Sequence, residues 1–325
     1  MMNKPLVELK DIHTTFKARP RLLGKRRPPV RAVDGVSLVI REGEILGLVG
    51  ESGCGKSTLA RTLLGLQRET SGEILVDGRP VGNLEPRAAR RARGDIQYVH
   101  QDPGAALDPW WRIGASLHET LKIAGVTSAS DRAERIEQML DAVGLDATYA
   151  RRFPHEISGG QQRRVGLARV LGLHPRIVIL DEPTSGLDLS VQATVLRLFR
   201  DLRSRFGLTY LFISHDLSVV RRMCERIAIM YLGRIVEIGD AGDIFNNPRH
   251  PYTQALLASA PRLKPGQLDE IKVLEGDPPN PASKPSGCAF HTRCTHARPQ
   301  CAQNDPALRE VGTRHEAACL RVGEF

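Results

Sequence analysis

The segment at residues 50–58 combines residue types and a spacing that could bind phosphate. It reads GESGCGKST, comes directly after an apolar stretch and precedes the helical run 59–66. Glycines let a backbone turn sharply and approach phosphate oxygens, and the N–H groups at a helix start attract anions. In this pattern the lysine reaches the β- and γ-phosphates and the next hydroxyl binds Mg²⁺. The predicted ATP-binding residues, of which Ser57 is the Mg²⁺ ligand, are Gly50, Ser52, Gly53, Gly55, Lys56, Ser57 and Thr58.

Two adjacent carboxylates end the apolar run 177–182, which reads IVILDE. A short run of this kind is typical of a buried parallel strand, and Asp181 then lies at the carboxyl end of that strand. A carboxylate in this position can hold Mg²⁺ through water. Glu182 follows directly, and we predict that it is the general base that orients and polarises an attacking water.

A third segment, ISGGQQ at residues 157–162, opens a run with helical character. Ser158 is a good helix N-cap, and the two glycines after it permit close approach of an anion. Taken alone, a Ser-Gly-Gly sequence is common in loops. Its position about twenty residues before the acidic strand gives it more weight.

In this order and spacing, the three segments resemble the motifs of the ABC ATPase family, over about the first 240 residues. The resemblance identifies Gln101, in VHQDP, as the Q-loop glutamine and a Mg²⁺ ligand, and residues 185–188, SGLD, as the D-loop. It identifies His215, in FISHD, as the switch histidine, and Phe16 as the aromatic side chain that stacks on adenine. No chemical group is lost where the chain departs from the family pattern, at Ile157 and Gly186.

The resemblance implies a mechanism as well. Two such domains meet head to tail, and ATP lies between the phosphate loop of one and the segment at 158–161 of the other. The implied catalytic residues are Lys56, Gln101, Glu182 and His215. Apart from the phosphate loop, the implied ATP contacts are Phe16, Ser158, Gly159, Gly160, Gln161 and Asp188.

The fold class implied by the resemblance is α/β: a P-loop ABC ATPase cassette with a RecA-like core sheet, an antiparallel β subdomain and a helical subdomain. Apolar patterns independently predict strands at 7–12, 44–49, 74–76, 96–99, 177–180, 210–213, 227–231 and 234–238. Helical periodicity prevails from residue 87 to about 172, including an amphipathic segment at 131–143. We assign residues 1–245 to the cassette, with the helical subdomain at about 87–172, and residues 246–325 to a small C-terminal extension that contains cysteines.

The C-terminal extension indicates which group of ABC ATPases the chain resembles. Residues 246–261, NNPRHPYTQALLASAP, followed by GDPPNP and a cysteine-rich segment, resemble the extension of oligopeptide/dipeptide permease ATPases. The resemblance implies a subunit that energises the import of peptides, or of related solutes such as nickel or glutathione. It also implies as partners a second ABC ATPase, which is a homologous chain or a second copy, two membrane-spanning permease subunits and an extracytoplasmic substrate-binding protein.

Composition and charge bear on where the chain acts. There is no run of about 18 apolar residues and no signal-peptide core, so we expect the chain to stay in the cytosol. The resemblance implies that it is a peripheral protein on the cytoplasmic face of a prokaryotic cell membrane. The net charge of +9 fits a solvated basic surface, or contact with nucleic acid or with an anionic membrane. The segment 17–31 is basic without any acid, and we interpret it as a solvated loop in preference to one that contacts lipid. The alternative function is a soluble ABC ATPase that acts on nucleic acid or the ribosome. Such proteins usually carry two cassettes or a long coiled coil, so we expect no nucleic acid partner here.

Two adjacent tryptophans, Trp110 and Trp111, lie in the segment from Gln101 to about Gly114. Exposed aromatic side chains favour interfaces, and we predict that this segment borders a groove for a helix of a membrane subunit. The alternative is that one or both side chains pack within the helical subdomain.

Cysteines cluster near the C-terminus with the spacing C-x5-C-x6-C-x17-C. In a reducing compartment such clustering favours metal ligands over disulfides. Zinc sites usually contain C-x2-C pairs, which are absent here, so we rank a 4Fe–4S cluster first, Zn²⁺ second and no metal third. Because the cluster is far in sequence from the phosphate loop, we expect its loss to affect first the fold of the extension and its assembly with partners. The predicted ligands are Cys288, Cys294, Cys301 and Cys319, with His291 and His296 as substitutes.

Overall fold

A computed structural model of the protein describes residues 4–17, 28–82, 84–100, 104–259 and 276–324. The chain divides into two compact units, the first made of residues 1–91 and 211–325 and the second of residues 92–210. Gln101 and most of the basic segment 17–31 lie outside the described residues. Among the residues that are described, no helix is long and apolar enough to cross a membrane.

Strands and helices alternate along much of the chain. The strands are β1 (Pro5–Phe16), β2 (Val30–Arg41), β3 (Ile45–Val49), β4 (Ser71–Val76), β5 (Arg79–Pro80), β6 (Ile96–Val99), β7 (Ile177–Asp181), β8 (Thr209–Ser214), β9 (Arg226–Tyr231), β10 (Arg234–Asp240), β11 (Arg309–Gly312) and β12 (His315–Ala317). The helices are α1 (Lys56–Leu63), α2 (Pro86–Ala92), α3 (Ile113–Ile123), α4 (Ala129–Ala142), α5 (Gly159–Leu171), α6 (Leu189–Phe206), α7 (Leu217–Met223), α8 (Ala241–Asn246), α9 (Pro251–Ala258) and α10 (Pro299–Gln303).

The first unit contains an antiparallel sheet and a mixed one. In the antiparallel sheet the strands lie in the order β2-β1-β4-β5. In the mixed sheet β3 runs parallel to β9, and β9 runs antiparallel to β10. Every residue of β3 and β9 is buried, as expected for strands that are covered on both faces. This buried pair fixes the position of the loop that follows β3.

The C-terminal extension continues the mixed sheet. β12 pairs with β10, and β11 pairs with β12, both antiparallel. Glu237 of β10 is fully buried and lies 2.7 Å from Nε2 of His315 in β12. Its carboxylate also accepts the main-chain N–H groups of Arg249 and His250, at 2.6 and 2.9 Å. A single buried carboxylate therefore ties β12 and the start of α9 to β10.

The second unit contains the parallel pair β6 and β7 together with α3, α4, α5 and α6. The amphipathic helix predicted at 131–143 is α4, which buries Ile136, Met139 and Leu140. Its first turn is capped by Ser128, whose Oγ accepts the N–H of Asp131 at 3.3 Å. The predicted helical region at 87–172 is mostly helix, with β6 inside it.

The strands predicted from apolar patterns coincide with β1, β3, β4 and β6 to β10, with small differences at their ends. β2 was not predicted. Its sequence, VRAVDGVSLVIR, mixes charges and a glycine with apolar residues, and its pairing with β1 contains register shifts that interrupt a period of two. β11 and β12 were also missed, because they are short and largely polar.

Candidate active site

The phosphate loop lies in the first unit, between the end of β3 and the first residue of α1. At Gly50 a Cβ atom would lie 2.2 Å from the carbonyl oxygen of Met230. At Gly55, where φ is 113°, a Cβ atom would lie 2.2 Å from the carbonyl oxygen of Ala32. No side-chain atom can approach a main-chain oxygen so closely, so both positions require glycine.

Lys56 begins α1 and is only 8% exposed. Its Nζ donates hydrogen bonds to the carbonyl oxygens of Gly50, at 2.6 Å, and Glu51, at 3.0 Å. Main-chain acceptors of the loop therefore hold the ammonium group. Ser57, the predicted Mg²⁺ ligand, is exposed directly after it. A buried ammonium group within a glycine-rich turn is suited to bind a polyphosphate.

Two further predicted residues lie in the first unit. Phe16 is the last residue of β1 and is 42% exposed, as an aromatic ring that stacks on a base must be. His215 directly follows β8 and is exposed. The next residue, Asp216, caps α7, because its Oδ1 accepts the N–H of Ser218 at 2.8 Å. The end of a buried strand and a capped helix thus flank the histidine.

Asp181 ends β7 in the second unit, where it is 9% exposed. Its Oδ2 accepts a hydrogen bond of 2.6 Å from the hydroxyl of Tyr98 in β6. Its Oδ1 is buried, and no hydrogen-bond donor reaches it within the part of the chain that the structure describes. A carboxylate oxygen without a donor suits a hydrated Mg²⁺ ion, so Asp181 fits its predicted role as a Mg²⁺ ligand.

Glu182, the predicted base, has an unusual backbone. Its φ is 53°, in the left-handed region that residues other than glycine rarely adopt. Such a conformation costs about 1 kcal/mol or more and is frequent at functional positions. Glu182 is partly exposed, whereas every residue of β7 before it is buried. The chain therefore leaves the strand abruptly at Glu182, and its role as the base stays a prediction.

The segment ISGGQQ at residues 157–162 supplies the N-cap of α5, and the cap is Ser158, as predicted. Ser158 Oγ accepts the N–H of Gln161 at 3.3 Å, and Gln161 Oε1 accepts the N–H of Ser158 at 2.9 Å. This reciprocal arrangement is a capping box, and it satisfies two donors at the helix start. The amide nitrogen of Gln161 also donates to the hydroxyl of Tyr149 at 2.8 Å. Gly159 and Gly160 are exposed, so the N-terminus of α5 is open to an anion.

The D-loop aspartate has a structural role within its own chain. Asp188 caps α6, and its Oδ1 accepts the N–H groups of Ser190 and Val191, each at 3.0 Å. The hydrogen bonds from Val191 and Ser190 lower the pKa of the Asp188 carboxyl. The predicted contact of Asp188 with ATP stays a prediction.

The predicted cysteine ligands line one small cavity in the first unit, together with His291 and His296. Burial raises the pKa of the Cys288 thiol to about 11, and the three neighbouring thiols add to the shift. Within the residues that are described, no three side chains of His, Cys, Asp or Glu have an arrangement that could hold a metal ion. The expected cluster or zinc site is therefore not supported by the positions of these side chains, although sulfur and imidazole are suitable donors for either metal.

Several residues that contact the site were missed from the sequence. Tyr98 bonds Asp181, while Tyr252 and Arg293 of the extension bond Glu51 in the phosphate loop. Arg293 lies directly before Cys294, so the cysteine segment contacts the phosphate loop although the two are far apart in sequence. That loss of the cysteine cluster first affects the fold of the extension and its assembly with partners stays a prediction. No sequence pattern could have identified these contacts, because each joins residues that are far apart in the chain.

Comparison with known proteins agrees with the geometry. The ABC transporter family model matches residues 33–185, and the model of the oligopeptide/dipeptide transporter C-terminal region matches residues 236–301. The chain is 45% identical over 317 residues to the oligopeptide transport ATP-binding protein AppF of Bacillus subtilis, covering 97% of this chain and 96% of AppF. It is 43% identical over 324 residues to OppF of Escherichia coli, covering 98% of this chain and 97% of OppF.

A solved ATP-binding cassette, a dimer in a post-hydrolysis state with ADP and Pi, superposes with a TM-score of 0.61 at 30% identity. The superposition covers 72% of this chain and 98% of that one. The cassette and the extension are therefore both matched by proteins of ABC transporters for oligopeptides. The chain belongs to the ABC transporter family, among the ATP-binding proteins of oligopeptide/dipeptide transporters.

Proposed function

We propose that this chain is the ATP-hydrolysing subunit of a membrane importer of peptides. The observation that carries the proposal is the alignment with AppF and OppF, both named as oligopeptide transport ATP-binding proteins, along nearly the whole of each chain. Di- and oligopeptides are the proposed cargo, and related solutes such as nickel or glutathione are the alternative.

In the first unit, the loop N–H groups and Lys56 would bind the phosphates of ATP, and Phe16 would stack on the adenine. The buried ammonium and the two glycines that cannot be replaced support this role. Lys56 exchanges its hydrogen bonds to loop carbonyl oxygens for phosphate oxygens, which develop more charge in the transition state. Ser52, Gly53 and Thr58 contribute further loop contacts.

In the second unit, Glu182 accepts a proton from a water molecule as the water oxygen bonds to the γ-phosphorus. The bond from the γ-phosphorus to the oxygen that bridges to the β-phosphate breaks, and ADP and phosphate result. His215, a residue of the first unit, would contact the γ-phosphate or the water. Ser57, Gln101 and Asp181 are the proposed ligands of Mg²⁺, which would neutralise phosphate charge when bound.

The proposed ATP sandwich needs a second ABC ATPase, either a homologous chain or a second copy. Ser158, Gly159, Gly160 and Gln161 would contact the γ-phosphate bound by the partner. The exposed N-terminus of α5 supports this role, because its capping box consists of two hydrogen bonds and places no charged side chain at the positive end of the helix. The dimeric state of the solved cassette is consistent with such pairing.

The complete assembly we propose also contains two permease subunits and an extracytoplasmic substrate-binding protein, with this chain on the cytoplasmic face of the membrane. Trp110 and Trp111 are 86% and 45% exposed, which supports a contact surface more than packing inside the helical subdomain.

A transport assay tests the proposal. The subunits that co-purify with this chain from native membranes are reconstituted in proteoliposomes with their binding protein. We expect ATP hydrolysis to increase when the binding protein carries a peptide, and the peptide to cross the membrane. The control is Lys56→Ala, which should abolish both. Stimulation by single-stranded nucleic acid or by ribosomes, with none by peptide, would instead support the soluble alternative.

We also propose that the thiols of Cys288, Cys294, Cys301 and Cys319 hold a 4Fe–4S cluster, with Zn²⁺ as the alternative. The cavity that the four residues share supports this proposal. The protein is purified without oxygen, and its absorption spectrum and its iron, sulfide and zinc contents are measured. Stoichiometric zinc in a colourless protein would favour Zn²⁺, and a folded extension without metal would reject both.

A further inference from the structure

The cysteine-rich segment of the extension makes a bidentate ion pair with the phosphate loop. Arg293 Nη1 donates to Glu51 Oε2 at 2.7 Å, and Nη2 donates to Glu51 Oε1 at 3.0 Å. The side chain of Arg293 is 5% exposed and that of Glu51 is 25% exposed. Bidentate guanidinium–carboxylate pairs are among the stronger hydrogen-bonded contacts, and partial burial limits their screening by solvent.

A second residue of the extension holds the main chain at the same position. The N–H of Glu51 donates to the hydroxyl of Tyr252 at 2.9 Å. Tyr252 lies in α9 and is fully buried. Its ring lies 4.7 Å from that of Tyr231, between centroids. Both the side chain and the backbone of Glu51 are therefore fixed by residues of the extension.

The arginine is itself held in place by packing. Phe290, three residues before it, is 2% exposed. Its ring centroid lies 5.3 Å from that of Tyr231 and 5.4 Å from that of Tyr252. The segment that carries Arg293 is thus held by the buried ring of Phe290, and this packing positions the guanidinium group.

Glu51 connects this contact to the catalytic lysine. The Nζ of Lys56 donates to the carbonyl oxygen of Glu51 at 3.0 Å, and to that of Gly50 at 2.6 Å. Glu51 also places a negative charge inside a loop that must bind polyphosphate. An unpaired carboxylate there would repel the ligand, and a displaced Glu51 would move an acceptor of Lys56.

We propose that the C-terminal extension is a positioning element of the ATP site. Arg293 pairs with Glu51, cancels its charge and fixes the loop in the conformation that receives phosphate, and Tyr252 fixes the same residue through its backbone. A preformed loop binds its ligand without the cost of ordering it. Arg293 touches no reacting atom, so its loss acts on ATP binding more than on the chemical step.

The test is Arg293→Ala in the assembled complex, with the KM for ATP and kcat measured separately. We expect the KM to rise about tenfold, the effect of one charged hydrogen-bonded contact, while kcat changes much less. Tyr252→Phe, which keeps the ring and removes only the hydroxyl, should raise the KM by a smaller factor. The matched control is Arg298→Ala, which removes an exposed ion pair with Glu324 in the same extension and should leave the KM unchanged.

Rescue separates this role from a general effect on folding. Glu51→Gln in the Arg293→Ala background removes the unpaired charge and should recover much of the lost ATP affinity. An unchanged KM in Arg293→Ala would overturn the proposal. A KM in the double variant that is raised by the product of the two single-variant factors would also overturn it, because the two residues would then act independently. If Arg293→Ala does not fold, an unchanged KM in both Tyr252→Phe and Glu51→Gln overturns it.

Discussion

At the scale of single residues, the buried charges of the site are each compensated by a specific contact. Lys56 is held by two carbonyl oxygens, and Asp181 is held through one oxygen by Tyr98. Burying a charge without a partner is costly, and these contacts lower the cost of burying both groups. The other oxygen of Asp181, Oδ1, has no donor among the described residues and can accept a hydrogen bond from water bound to Mg²⁺. Glu182 lies next to Asp181 in a strained conformation that the fold must maintain.

Glu182→Gln should retain ATP binding and lose turnover by at least about 100-fold, because the attacking water loses its base while the phosphate loop is unchanged. Nucleotide affinity and the ATPase rate are measured in the assembled complex. Glu137→Gln, at an exposed position of α4, is the control and should behave as the unmodified protein. Turnover near normal in Glu182→Gln would remove this residue from the role of base.

At the scale of elements, helix N-termini carry much of the local order. Side-chain acceptors from Ser158, Asp188, Asp216 and His250 cap α5, α6, α7 and α9. A cap satisfies main-chain donors that have no partner inside the helix and contributes about 1 kcal/mol. At α5 the capped end is also exposed, so the same residues can stabilise the helix and present its positive end to a partner's nucleotide.

Ser158→Arg should leave ATP binding by the isolated chain unchanged and block closure of the ATPase dimer, because the larger cation fills the space of the partner's γ-phosphate. ATP-dependent dimer formation is followed by size-exclusion chromatography. Ser128→Arg changes the equivalent cap of α4 and should not affect closure. Loss of ATP binding by the isolated Ser158→Arg chain would mean that Ser158 acts within its own chain.

The cap of α9 makes stability depend on pH. Burial lowers the pKa of His250 to about 4, against the opposing effect of Glu237, and the neutral ring accepts the N–H of Tyr252 at 3.0 Å. The unfolded chain binds this proton near pH 6.5, so the free energy of unfolding should fall as the pH drops from about 6.5 to about 4. The loss should be on the order of 3 kcal/mol.

Chemical denaturation at a series of pH values measures this dependence. His250→Asn keeps a capping oxygen and removes the titration, so its stability should vary less between pH 7 and pH 5 than that of the unmodified chain. Equal pH dependence in the two proteins would assign the effect to other groups.

At the scale of the whole molecule, the extension is built into the first unit. β12 extends the sheet that contains β3, and Arg293 and Tyr252 reach the loop that β3 positions. A family-specific addition is thereby connected to the nucleotide site. In the second unit, the exposed tryptophans next to α3 provide a separate surface, which we assign to a membrane subunit.

Trp111→Ala should weaken co-purification of the permease subunits and spare nucleotide binding, because it removes a large exposed aromatic from the proposed contact surface. Pull-down from membranes measures the permease, and a nucleotide titration of the isolated chain measures binding. Phe206→Ala is a matched control, since Phe206 is 44% exposed and ends α6. Undiminished recovery of the permease would indicate that Trp111 only packs against its own unit.

The sequence by itself determined the features that depend on neighbours in the chain. The phosphate loop is a contiguous pattern, the capping box of α5 joins residues three apart, and the buried strands are visible as apolar runs. Each is fixed by local stereochemistry or by burial, so its signature lies within a few residues. For the same reason the family could be identified from the order of its motifs.

Only the tertiary structure decided which distant residues meet. Arg293 and Glu51 are 242 positions apart, and Tyr98 and Asp181 are 83 apart. β12 is too short and too polar to predict as a strand, and it is stabilised by the free edge of β10 and by buried Glu237. Such contacts form because the fold brings groups of matching charge and shape together, and no periodicity along the chain predicts them. The dependence of the phosphate loop on the C-terminal extension is therefore a property of the folded molecule.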